Sequence, residues 1–174
     1  MKLFRAADAD LPAVAAFVNA AYRGESARQG WTAEADVLDG QRVDLAMLRA
    51  DLAARPEAML LLLRDGPEAP LLGCVWLEPA EVDVWYLGML TVRPDLQDHQ
   101  LGRALLAEAE AQIRGRGGRR VRMTVLNVRE TLIAWYLRRG YARSGETKPF
   151  PYGDERFGIP LRDDLHFVVL EKTL

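Results

Sequence analysis

In the run Val92-Arg93-Pro94-Asp95-Leu96-Gln97-Asp98-His99-Gln100-Leu101-Gly102-Arg103-Ala104-Leu105-Leu106, an apolar strand gives way to a polar loop and then to an amphipathic helix. The strand side reads from Val82 to Val92 and is rich in Val, Trp, Tyr and Leu, and Pro94 ends it. Gly88 lies inside that strand, where a glycine marks a bulge or a close backbone approach. On the helix side Leu101, Leu105, Ala109 and Ile113 recur every four residues, which predicts a helix from Gln100 to Arg116 closed by Gly117-Gly118. The first turn of a helix carries free N–H groups and a partial positive charge, so this junction suits an anion, phosphate above all. Gly102 lets a ligand reach the backbone without meeting a β-carbon.

Upstream, Lys2–Ala6 reads as a strand, and a helix is expected from Asp10 to Tyr22, with Pro12 in its first turn. Gly24–Gly40 is polar and irregular around Trp31, and a second helix is expected over Val43–Ala54. Ala58–Leu63 and Leu71–Leu77 read as a hairpin across Asp65-Gly66-Pro67. Downstream come a strand at Val121–Leu126, a helix at Glu130–Arg139 stopped by Gly140, a strand at Tyr141–Glu146, a loop over Lys148–Asp164 and a last strand at Leu165–Leu170. The order predicts a single α/β domain over residues 1–174 with no repeat or linker.

The 174 residues are 49% apolar and 28% charged, with a net charge of −2, which fits a packed globular chain and not a general nucleic-acid binder. Cys74, the single cysteine, reads as a small core residue. No apolar run approaches a membrane span, so the cytoplasm is the expected location and no membrane partner is expected. His99 and His166 lie far apart and no metal-ligand spacing appears, so no metal is expected. A G-x-S-x-G elbow and a Walker loop are both missing.

The run Gln97-x-x-Gln100-x-Gly102-x-Ala104 resembles the Arg/Gln-x-x-Gly-x-Gly/Ala signature of the GNAT superfamily, the acetyl-CoA-dependent N-acetyltransferases. Tyr136-Leu137-Arg138-Arg139-Gly140-Tyr141 resembles the Tyr-x-x-x-Gly-Phe/Tyr segment of that family. The resemblance implies a mixed, mostly antiparallel central sheet of six or seven strands with helices on both faces, and two central strands that splay where the cofactor enters. Two positions depart from the pattern. Gln100 stands where the first motif glycine belongs, and Arg129 stands where the family often has an Asn that contacts the pantetheine arm, with Asn127 close by.

The resemblance implies roles for particular residues. The backbone at Leu90, Thr91 and Val92 would pair with the pantetheine arm like an added strand. The N–H groups of Asp98, His99, Gln100, Leu101, Gly102 and Arg103 would hold the pyrophosphate, with Gln97 opening the motif and Arg103 adding charge. Asn127 or Arg129 would reach the cofactor. Tyr136 would be the general acid for the departing thiolate. For the base, Glu81 and Tyr86 are candidates, with Glu78 and Asp83 on or near the same strands. Carboxylates beside an aromatic suit a cationic amine, so Trp31 and Glu34, with Glu25 and Asp36, are expected to border the acceptor. Pro149-Phe150-Pro151-Tyr152-Gly153 would form the other wall, a lid, a dimer contact or a connector. The expected activity is direct acetyl transfer from acetyl-CoA to a small-molecule or peptide amine. A non-catalytic acyl-CoA sensor and a cofactor-free homodimeric interaction protein stay open.

Overall fold

The computed structural model describes residues 1–23 and 34–174, with backbone alone at 97–99. In chain order the elements are β1 (Lys2–Arg5), α1 (Leu11–Tyr22), β2 (Leu38–Asp39), α2 (Leu45–Ala54), β3 (Met59–Arg64), β4 (Gly73–Glu81), β5 (Val84–Val92), α3 (Leu101–Arg114), β6 (Arg120–Leu126), α4 (Glu130–Leu137), β7 (Ala142–Pro149), β8 (Ile159–Pro160) and β9 (His166–Thr173). Local chemistry starts and stops the helices. Asp44 caps α2 by accepting from the Met47 N–H at 2.8 Å. Gly117, at φ +83°, turns the chain after α3, and the Gly118 N–H returns to the Ile113 carbonyl at 3.0 Å.

Seven strands form one sheet in the order β1-β3-β4-β5-β6-β9-β7, antiparallel throughout except between β5 and β6. Side chains of β3 alternate between its faces. Leu60 and Leu62 pack with Val14 and Val18 of α1 and Leu48 of α2, while Met59, Leu61 and Leu63 face the cluster that holds Leu105, Ala109 and Ile113 of α3 and Ile133 of α4. Helices therefore cover both faces, as the family resemblance implies. Each fully buried Leu or Ile on these faces contributes about 1.5–3 kcal/mol relative to an exposed one.

Two irregularities shape the middle of the sheet. In the β4–β5 pair Cys74 faces Thr91 but Trp76 faces Gly88, so β5 carries an extra residue there. Met89, next to Gly88, holds a positive φ of 51°, and the Thr91 hydroxyl donates to the Met89 carbonyl at 3.0 Å, closing the bulge. The parallel β5–β6 pairing covers Val84 with Arg120, Trp85 with Val121 and Tyr86 with Arg122, and ends there although both strands continue. The sheet parts at the bulge, as the resemblance implies.

Three local readings change. Val82 is not in the strand but at the tip of a tight β4–β5 turn, 92% exposed, with Asp83 at φ 60°. A β-branched residue there gives no turn signal. The strand expected to end at Glu146 runs to Pro149, at an edge where proline breaks no ladder. Within the expected loop, β8 pairs with β2, so the loop before α2 is stitched to the loop after β7.

Candidate functional site

The parting of β5 and β6 opens a cleft of about 590 Å³. Its floor comes from Tyr86, Gly88, Met89 and Leu90 of β5 and from Arg122, Thr124 and Val125 of β6. Tyr22 at the end of α1, Leu132 and Tyr136 of α4, and Pro149, Phe150 and Pro151 after β7 form its walls. Phe150 is anchored among Leu38, Leu126 and Leu165, which makes the proline-rich stretch a fixed wall.

Tyr136 is 5% exposed, and its ring is held edge-on by Trp135 at 5.0 Å and Tyr141 at 5.6 Å. Its hydroxyl makes no hydrogen bond to a described residue. Burial pushes its pKa well above the usual phenol range, so it stays protonated at neutral pH.

Tyr86 lies across Gly88. A β-carbon on Gly88 would come within 2.7 Å of the Tyr86 ring, so the glycine is what lets the ring lie there. The Tyr86 hydroxyl sits 3.2 Å from Thr124 Oγ1, a hydrogen bond across the parted strands. Glu78 is the register partner of Tyr86 and lines the cleft. It accepts from Trp76 Nε1 at 3.0 Å and pairs with Arg55 at 3.1 Å.

Arginines crowd the end of α1. Both oxygens of Glu34 are engaged, one by Arg23 at 3.2 Å and the other by Arg129 at 3.4 Å. Arg23 also donates to the Asp39 carbonyl at 2.9 Å and the Phe157 carbonyl at 3.4 Å, so it braces the two stitched loops. Burial lowers its pKa, opposed by Glu34 and reinforced by nearby Arg42. The Arg42 guanidinium lies 5.6 Å from the centre of the Tyr22 ring, and the Tyr22 hydroxyl donates to the Leu90 carbonyl at 3.2 Å.

At the far end of β5, a 3-10 turn over Pro94–His99 leads to Gln100, which holds the left-handed conformation (φ 59°, ψ 11°) and starts α3. The Ala104 N–H reaches the Gln100 carbonyl at 3.0 Å, leaving the N–H groups of Leu101, Gly102 and Arg103 ahead of the helical ladder. These donors follow in the chain directly on β5, the strand whose parting from β6 opens the cleft.

The model of the acetyltransferase (GNAT) family matches residues 16–141. The chain belongs to the GNAT acetyltransferase family. Among solved structures it is similar to a ribosomal-protein-alanine N-acetyltransferase from Brucella melitensis (20% identity, TM-score 0.71, covering 100% of each chain). It is also similar to the ribosomal-protein-S18-alanine N-acetyltransferase from Escherichia coli (16% identity, TM-score 0.67, 99% of this chain and 92% of that one). A GNAT-family acetyltransferase from Staphylococcus aureus Mu50 aligns at 11% identity and TM-score 0.68 over 99% of this chain and 98% of that one. At such identities the likeness speaks for the fold. No curated protein matches the chain.

Within this GNAT fold, the expected residues are sorted by position. Tyr136, Tyr86, Leu90, Arg129 and Glu34 line the cleft. Glu81 does not: it sits beside the β4–β5 turn, 3.0 Å from Arg122, and Glu78 takes the position facing the cleft. The Asn127 carboxamide is engaged at both ends, donating to the Asp164 carbonyl at 3.1 Å and accepting from the His166 N–H at 3.0 Å, so it pins β9 and does not reach into the cleft. The Thr91 side chain is fully buried and serves the bulge. Glu34 does not present a bare carboxylate for a cationic amine, because two arginines hold it. Trp31 and Glu25, and the side chains of Gln97, Asp98 and His99, lie outside the described residues.

Sequence reasoning missed Tyr22, Arg23 and Arg42. Tyr22 reads as one more apolar position of α1, and no spacing brings Arg42 next to it. Among the described residues no His, Cys, Asp and Glu group is arranged to hold a metal, and no helix is long and apolar enough to cross a membrane.

Proposed function

We propose that this chain transfers an acetyl group from acetyl-CoA directly to an amine acceptor. The observation that carries the reading is the parting of β5 from β6 at the Met89 bulge, with the Tyr136 hydroxyl in the resulting cleft. The chain's residues fit the cosubstrate. The left-handed Gln100 turns the N–H groups of Leu101, Gly102 and Arg103 free for a pyrophosphate, and Arg103 is exposed beside them. The β5 edge left without β6 offers backbone groups to an extended arm; of these the Leu90 carbonyl already accepts from Tyr22 and retains its second lone pair.

Acetyl-CoA supplies an activated thioester. The acceptor nitrogen bonds to its carbonyl carbon, the carbon–sulfur bond breaks, and the sulfur leaves with the electron pair. Tyr136, kept neutral by burial, donates its proton to that sulfur, and the second proton that the nitrogen sheds as the amide forms returns through water to the Tyr136 oxygen. Glu78, paired with Arg55, removes a proton from the ammonium form of the acceptor, through water. The walls hold the two substrates together, and orientation supplies much of the acceleration.

The test is turnover of acetyl-CoA with a panel of amines, beside calorimetric binding of coenzyme A. Saturable binding with turnover that falls in Tyr136→Phe is the expected result. Absence of binding at millimolar acetyl-CoA overturns the proposal, and binding with no turnover on any amine points to an acyl-CoA sensor.

A further inference from the structure

We infer that the acceptor of this cleft is an amine that also carries a carboxylate, and that Arg42 recognises that anion; the inference rests on the acetyl-transfer reading above. Three guanidinium groups, those of Arg23, Arg42 and Arg129, converge on the end of α1, and among the described residues the carboxylate between them is Glu34. Both Glu34 oxygens are taken, by Arg23 and Arg129. Among the described residues no carboxylate lies within ion-pair distance of Arg42, which rests over the Tyr22 ring on the cleft wall. The other cleft carboxylate, Glu78, is paired with Arg55, and Arg122 is paired with Glu81 and Glu171. Arg42 thus stands on the cleft wall with no carboxylate partner among the described residues.

The position of Arg42 bears on the reaction. The Tyr22 ring under Arg42 is the ring whose hydroxyl reaches Leu90, at the bulge where the strands part. An anion on Arg42 therefore sits beside the cleft floor, and an amine on the same small molecule is brought over Gly88 and Leu90. Guanidinium groups in a partly desolvated wall bind carboxylates through paired, charge-assisted hydrogen bonds. A polycationic acceptor would meet like charge at the same wall. Arg23 is not the recognition group: it is 5% exposed at the side chain and is committed to backbone carbonyls of both stitched loops.

The experiment compares, in the wild-type protein, acetylation of α-, β- and γ-amino acids with that of their carboxamides and of the parent amines lacking the carboxylate. At least one amino acid is expected to exceed its carboxamide by about tenfold or more in kcat/KM, through KM. In Arg42→Gln that advantage is lost, while Arg42→Lys keeps part of it. Equal or better turnover of carboxamides and plain amines in the wild type overturns the inference and leaves acetyl transfer standing. Coenzyme A binding with no amino acid acetylated also overturns it. Failure to bind coenzyme A at all takes down the proposed function, and this inference with it.

Discussion

The Tyr86 ring lies against the backbone of Gly88, two residues along the same strand, at a distance that leaves no space for a β-carbon. Gly88→Ala is therefore expected to push the ring off its hydrogen bond with Thr124, lower stability by about 1–3 kcal/mol and reduce acetyl transfer. In a Tyr86→Ala background the same change should cost little, so a double-mutant cycle by denaturant unfolding reads the contact directly.

Tyr136→Phe removes one oxygen that no described residue needs for its packing. Melting temperature should hold within a few degrees, while kcat falls about 100-fold, the scale of a lost general acid. Unchanged kcat would show that the thiolate takes its proton elsewhere.

Gln100 holds a left-handed backbone with a side chain attached. The glycine of the family's motif at this position is then explained by conformation. Gln100→Gly is expected to raise stability by about 1 kcal/mol by relieving that strain, and to leave coenzyme A affinity within about twofold by calorimetry. A larger tightening would show that the amide side chain obstructs the anion.

Glu110 is 5% exposed on α3 and accepts from the Tyr141 hydroxyl at 3.0 Å and from Lys172 at 2.8 Å. Glu110→Ala leaves both partners without their acceptor and should cost about 3–5 kcal/mol in chemical unfolding. The change is far more damaging than its place on an amphipathic helix suggests.

Three buried phenols set the alkaline limit. Burial is the leading cause that raises the pKa of Tyr22, Tyr136 and Tyr141. In the unfolded chain they ionise near pH 10, so that state is favoured as pH rises. Their contribution is intact below that pH and is lost as pH climbs through the folded values. Melting temperature should be level in this respect from pH 7 to 9 and fall above about pH 10. Phenolate absorbance should lag behind that of the denatured chain.

These residues also mark how far the sequence could be read. The four helices show in apolar spacing, and Leu105, Ala109 and Ile113 do face the core together. The mostly antiparallel sheet and the splaying of two central strands came from the motif resemblance, since local pattern carries no pairing information between distant strands. Gly88 correctly announced the bulge, although the extra residue sits at Met89. The turn at Val82 and the two-residue strands β2 and β8 left no trace, because tertiary contacts and not propensity define them. At the site, Tyr136 and Tyr86 were legible, whereas the buried place of Glu110 depends on Lys172, 62 residues away. The grouping of Arg23, Arg42 and Arg129 about Glu34 likewise exists only in the folded chain.

The solitary thiol of Cys74 faces Thr91 across the β4–β5 pair, fully enclosed, and burial pushes its pKa up to about 12. A folded sample should accordingly ignore disulfide dyes and alkylating agents at mild alkaline pH. Colorimetric trapping of the sulfhydryl product can then follow turnover continuously, with no blank contributed by the catalyst itself.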